Sequence, residues 1–253
     1  MPIGCTVEVF TDATGTLTGL LFQDTVMKSV FSAYPELLLI DATYKLTNLR
    51  MPVYLMMSID GNGQGEIIFV FLTVVETEQA IAEMVQSFKR ANPRWTETKV
   101  VMSDKDFNER SVFRKEFPEA VLHICLFHTL RSFRREITTD KMSIRPGERD
   151  HALEIITKLA YSKSENEYEE YYQDLVDSGL TNVISYYNSN WHEIRYEWVH
   201  CFKGVSFTLG ERTNNRLENI NGKIKSVCSR YDNYYFPSCI LHNIVMYVSM
   251  PEH

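Results

Sequence analysis

The chain has 253 residues, enough for one large domain or for a core domain carrying an insertion. Hydrophobic residues make up 44% and charged residues 23%, an ordinary globular balance, and no uncharged apolar run is long enough to suggest a membrane-spanning helix. The formal net charge of -7 speaks against a surface that binds nucleic acid all over, and leaves room for a local basic face.

The five cysteines, Cys5, Cys125, Cys201, Cys228 and Cys239, are odd in number and scattered, without a paired C-x-x-C knuckle. That usage suits a reducing, intracellular compartment better than a disulfide framework. The first residues show no basic segment followed by an apolar core, so no secretory leader is expected.

Taken in order, residues 1–18 are rich in Thr and Gly and have no clear period; a leader and an edge strand are both open readings. Residues 20–31 place Leu20, Leu21, Val26, Met27, Val30 and Phe31 at helical spacing and predict a helix, ended at Tyr34-Pro35. The unbroken apolar run Leu37, Leu38, Leu39, Ile40 predicts a strand buried on both faces, with Asp41 directly after it. Two readings of Asp41 are open at this point: an exposed strand end, or a carboxylate aimed at a metal ion. Residues 53–59 and 66–73 predict two strands joined by the turn Asp60-Gly61-Asn62-Gly63. Residues 78–91 change to helical period, and Asn92-Pro93 ends that helix. Residues 98–102 predict a fourth strand running into Ser103-Asp104-Lys105-Asp106. A helix over 106–117, stopped by Pro118, and a short strand over 120–124 follow.

This succession predicts an α/β fold: a mixed five-stranded sheet with helices on its faces. Asp41 and Asp104 each stand at the carboxyl end of a strand. If those strands are parallel neighbours, the two carboxylates share the rim where open α/β sheets bind ligands. Asp104 is preferred to Asp106 because it comes first after its strand, whereas Asp106 suits a helix cap.

Beyond the fifth strand come Cys125, Leu126, Phe127 and His128, then Arg131, Arg134 and Arg135 on a predicted helix. Residues 151–161, 165–176 and 183–188 predict further helices, with no strand expected over 145–210. Trp191 and Trp198 are expected to pack this segment rather than to stack on bases, and the acidic residues of 165–174 to face water. Thr213 or Asn214 can cap a helix that carries Glu218 one turn in, followed by Lys223 and Lys225. Arg131, Arg134, Arg135, Lys141, Lys223 and Lys225 fit phosphate contacts, and fit equally a solvated face partnered by Glu136 and Asp140. As a zinc site, Cys125 and His128 supply two ligands where a structural site wants four; His123 would share the face of Cys125, and no fourth ligand is legible. Structural zinc is therefore not expected.

The segments IDATYKLTN, SDKD, CLFH and TNNRLE, in this order, resemble the core of Mutator-like element transposases. Zinc-finger SWIM-domain proteins and related domesticated transposases carry the same core. The resemblance implies an RNase H-like fold with an all-helical insertion before the last acidic residue. On that basis residues 1–36 form a leading segment and helix, 37–144 the first part of the core, 145–210 the insertion, and 211–253 the helices that complete the core. It also implies that Asp41, Asp104 and Glu218 are a catalytic triad holding Mg2+ or Mn2+ ions, and that Cys125 and His128 are the family's C-x-x-H pair beside it. DNA would be the substrate, in the nucleus, with protein partners or a second copy as further partners and no membrane. Two departures stand against a simple transfer of activity: the sequence has no C-x-C…C-x-H finger of the kind that often follows the core, and its net charge is acidic. The alternative function is a non-catalytic DNA- or protein-binding module.

Overall fold

The computed structural model describes residues 4–43, 51–105 and 107–203, with the backbone alone for 43 and 107–109. The chain divides into two compact units, one built on the sheet up to Val121 and one running from Leu122. The predicted residues Asp106, Glu218, Lys223 and Lys225 lie outside the described part.

The sheet begins earlier than the sequence suggested. Strands β1 (Thr6–Thr11) and β2 (Leu17–Gln23) form an antiparallel hairpin. Its turn is held by Asp12, whose Oδ1 accepts the backbone N–H groups of Thr14 (2.8 Å) and Thr16 (3.0 Å), while Gly15 takes a φ of 83°. Left-handed backbone of this kind favours glycine. The Thr14 hydroxyl is the main cause that holds the Asp12 carboxyl below its ordinary range. Helix α1 (Thr25–Ala33) starts at Asp24, whose side chain accepts from Met27 N at 2.8 Å. The helix predicted over 20–31 is thus corrected: Leu20, Leu21 and Phe22 belong to β2, because a short apolar run has no period that separates strand from helix.

Strand β3 (Leu37–Thr43) leads to β4 (Val53–Ile59), buried at every position, and to β5 (Gly65–Thr73). The β4–β5 turn repeats the device of the first hairpin: Asp60 Oδ1 accepts from Asn62 N (2.9 Å) and Gln64 N (2.7 Å), with Gly63 at a φ of 75°. Helix α2 (Glu78–Ala91) is capped by Thr77 and carries Glu78 in its first turn and Lys89 and Arg90 in its last, which suits the helix dipole. Strand β6 (Val100–Ser103), helix α3 (Phe107–Glu116) and strand β7 (Val121–Ile124) complete the α/β part.

The strand order is β1-β2-β5-β4-β3-β6-β7. Among the described residues the sheet therefore has seven strands rather than the predicted five; the two extra ones are the N-terminal hairpin. β3 pairs with β6 in parallel, whereas β1–β2, β2–β5, β5–β4 and β4–β3 are antiparallel. Phe88 of α2 joins the layers, its ring 4.8 Å from that of Phe31 on α1 and 5.3 Å from that of Phe69 on β5, both edge-on.

One polar pair is buried in this core. Gln23 Nε2 donates to Asn92 Oδ1 (2.9 Å) and to the Ile68 carbonyl (2.8 Å); Asn92 Nδ2 donates back to Gln23 Oε1 (3.0 Å) and to the Phe88 carbonyl (2.7 Å). The reciprocal pair ties the end of β2 to the C-terminal end of α2.

The second unit is helical throughout its described residues after β7. It comprises α4 (Leu126–Glu136), α5 (Thr139–Met142), α6 (Pro146–Tyr161), α7 (Glu165–Asp177), α8 (Thr181–Tyr187), a π-turn at Asn188–His192 and α9 (Arg195–Trp198). Phe133 lies at its centre, with Trp191 at 4.6 Å and Trp198 at 5.7 Å between ring centroids. Trp191 and Trp198 are core side chains, and Glu165, Glu169, Glu170 and Asp174 face water.

Replacing Asn92 by Ala strips the buried Gln23 amide of a donor and an acceptor. Stability should fall by about 1–3 kcal/mol, read from the urea midpoint. The double replacement of Gln23 and Asn92 by Leu and Leu should cost less than the sum of the single changes, because no stranded amide remains.

Candidate active-site rim

Asp41 is not beyond its strand, as the sequence suggested, but inside β3, paired across to Leu55 of β4. Its residue is 7% exposed, so the carboxylate sits where desolvation disfavours a charge without compensation. Asp104 stands immediately after β6 and is half-buried; its Oδ1 accepts the N–H of Lys105 at 2.6 Å.

The parallel pairing relates the two. Leu37 lies level with Val100, Leu38 with Val101 and Leu39 with Met102. The paired positions end there; the same offset continued two residues would set Asp41 level with Asp104, which directly follows β6. Both belong to the carboxyl ends of parallel strands, where open α/β sheets receive ligands. Among the described residues no group of three or more His, Cys, Asp and Glu forms a metal cluster, and Glu218 lies outside them.

In the helical unit, Cys125 is fully buried at the start of α4, and its carbonyl accepts both the N–H and the hydroxyl of Thr129, each at 3.0 Å. His128 is half-buried one turn into α4, its ring 5.6 Å from that of Phe127. His123 is buried on β7. Arg131, Arg134 and Arg135 are exposed along α4. Arg135 and Lys141 share Glu136, at 3.0 and 2.7 Å, and these two partners, Lys141 first, hold its carboxyl below the ordinary range. Among the described residues neither Arg131 nor Arg134 has an ion-pair partner, so of the described members of the predicted basic set these two are the least neutralised.

With the sheet and its rim in view, comparison with known proteins adds a likeness over just under half of the chain. Residues 2–123 match the sequence model of the RNase H-like domain of zinc finger SWIM domain-containing proteins 1 and 3. The fold of this stretch, a mixed sheet flanked by helices, is RNase H-like. The RNase H-like match takes in the N-terminal hairpin, so β1 and β2 are part of the matched domain. A curated relative is the PKS-NRPS hybrid synthetase cheA of Chaetomium globosum, 21% identical over 218 residues. The alignment covers 77% of this chain, which spans 5% of the length of that relative.

Sequence reasoning missed the N-terminal hairpin of the RNase H-like domain. The signal was present: Asp12-Ala13-Thr14-Gly15 has the Asp and Gly spacing of Asp60-Gly61-Asn62-Gly63, which was read as a turn.

Replacing Arg131 and Arg134 together by Ala should leave the unfolding midpoint within about 0.5 kcal/mol of the unmodified chain, as expected for exposed side chains without partners. Trp198→Ala should instead cost about 3–5 kcal/mol by opening a cavity in the helical core. Chemical denaturation followed by tryptophan fluorescence and circular dichroism separates the two.

Proposed function

We propose that this RNase H-like domain derives from a Mutator-like transposase and carries out metal-dependent DNA strand cleavage and strand transfer in the nucleus. The observation that carries the reading is the β3–β6 register, which supports Asp41 and Asp104 acting as one unit at the rim of the sheet. Carboxylates brought close to one another repel, and a bound cation offsets that repulsion. The donors are carboxylate oxygens, the set that a hard cation such as Mg2+ or Mn2+ prefers.

In this reading Asp41, Asp104 and Glu218 hold the metal, which when bound would activate the attacking oxygen and stabilise the leaving one. Asp41, anchored within β3, defines the position of the site, and Asp104 closes it from β6. Arg131 and Arg134 pair with backbone phosphates of the DNA, with Arg135, Lys223 and Lys225 as further contacts. Cys125 and His128 support the start of α4, Cys125 from within the apolar core. Protein partners or a second copy of the chain would align the DNA ends.

The test is Asp41→Asn, which keeps the size of the side chain and removes its charge. The unmodified protein should bind Mn2+ in calorimetry and nick a labelled duplex. The variant should lose the heat signal and at least about a hundredfold of the nicking rate, because an amide is a poor ligand for a hard cation. Equal nicking by both proteins would overturn the assignment of Asp41. Metal binding without nicking by the unmodified chain, or no metal binding at all, would favour the non-catalytic binding module, for which the net charge of -7 is the supporting feature.

A further inference from the structure

The helical unit contains a chain of hydroxyl and imidazole groups that the proposed chemistry does not use. Tyr187 on α8 is fully buried, and its hydroxyl lies 2.9 Å from that of Tyr168 on α7. The Tyr168 hydroxyl lies 3.0 Å from Nδ1 of His192, which closes the π-turn. Around this line, Tyr172 stacks on His192 at 4.5 Å and donates its hydroxyl to Asn188 Oδ1 at 2.9 Å. A π-turn is rare and occurs mostly as a single turn within helical segments.

The direction of the line follows from counting protons. Burial raises Tyr168 to about 12 and Tyr187 well above its ordinary value, so both phenols keep their hydrogens. Tyr168 is the one described polar partner of the Tyr187 hydroxyl, so Tyr187 donates to Tyr168. Tyr168 then donates to His192 Nδ1, which must be a bare acceptor, with the ring hydrogen on Nε2. Every group is satisfied in this direction alone.

We propose that the Tyr187–Tyr168–His192 relay is an acid-sensitive latch on the π-turn. A proton added at Nδ1 turns His192 from acceptor to donor. The Tyr168 and Tyr187 hydroxyls then have only the bond between them to donate into, and one of their two hydrogens is left inside the core without an acceptor. The cost of a buried donor without a partner falls on the segment that joins α8 to α9. The charged groups facing His192 are Arg195 from α9, which opposes its protonation, and Glu169 of α7 and Glu193, which favour it. Burial outweighs them and holds the imidazole below its ordinary value. The relay is therefore intact above the unfolded-state value of 6.5, and its contribution is lost as pH falls below that value through the folded one.

The experiment follows urea unfolding of the full chain from about pH 8 to about pH 5, with the His192 ring titrated by NMR. The unmodified protein should lose stability on the acid side, with the unfolding constant rising by up to tenfold per pH unit, the limit for one proton. Tyr168→Phe removes the hydroxyl that protonation of His192 forces to reverse. It should flatten the acid dependence and move the His192 midpoint up towards its ordinary value. His192→Phe keeps the ring stack and should be flat too, but less stable at every pH, because Tyr168 loses its acceptor. If Tyr168→Phe fails to fold, the double variant Tyr168→Phe, Tyr187→Phe serves in its place, because it removes both hydroxyls of the line and should also flatten the profile. A full acid dependence retained in the folded variant would show that burial of the imidazole alone is responsible and would overturn the relay. So would a flat profile in the unmodified chain.

Discussion

The parallel pairing of β3 with β6 is the constraint on which the sheet unit depends. Parallel neighbours cannot be joined by a tight turn; they need a long crossover. Here the crossover is everything from β4 to the end of α2, so the two hairpin partners and the amphipathic helix are consequences of that single pairing. The pairing also buries β3 between two strands, which explains why Leu37 to Ile40 are apolar without alternation. Asp41 is the first break in that run, and the register continued would set it level with Asp104.

Around this centre the fold uses repeated local solutions. Two hairpins close with an aspartate that collects backbone N–H groups and a glycine in left-handed conformation. The Gln23–Asn92 pair shows the other way of burying polar atoms, with each amide satisfying the other. In the helical unit the same problem is solved by aromatic side chains with polar tips. Trp191 Nε1 donates to the Tyr186 hydroxyl and Trp198 Nε1 to the Trp191 carbonyl, both at 3.1 Å, so large rings fill the core without stranding their N–H groups. The Tyr187–Tyr168–His192 line belongs to this set, and differs in ending on a group whose proton count changes near neutral pH.

Much of this was legible from residues alone. The bounds of β4 and α2 follow from their apolar patterns and from the Asp60–Gly63 turn and the Asn92-Pro93 stop. Asp41 and Asp104 stand out because each interrupts or follows an apolar strand. The N-terminal hairpin was not legible in the same way. β1 is only partly buried and alternates Thr, Val and Glu without a continuous apolar run, and the apolar residues of β2 run on into α1 with no gap except Asp24. The position of Asp41 within rather than beyond β3 was also hidden, since a strand end is decided by its neighbours' hydrogen bonds and not by its own side chains.

By itself the sequence determined where most elements lie, which faces are apolar and which carboxylates deserve attention, because those properties depend on neighbours within a few residues. Only the tertiary structure decided that β3 and β6 are adjacent and parallel, that their offset continued two residues would set Asp41 level with Asp104, and that the hairpin extends the described sheet to seven strands. It alone decided that Tyr168, Tyr187 and His192, on different elements, form one hydrogen-bonded line. Such pairings depend on the closure of long loops and on which buried groups find partners, and neither is written in any local stretch of the chain.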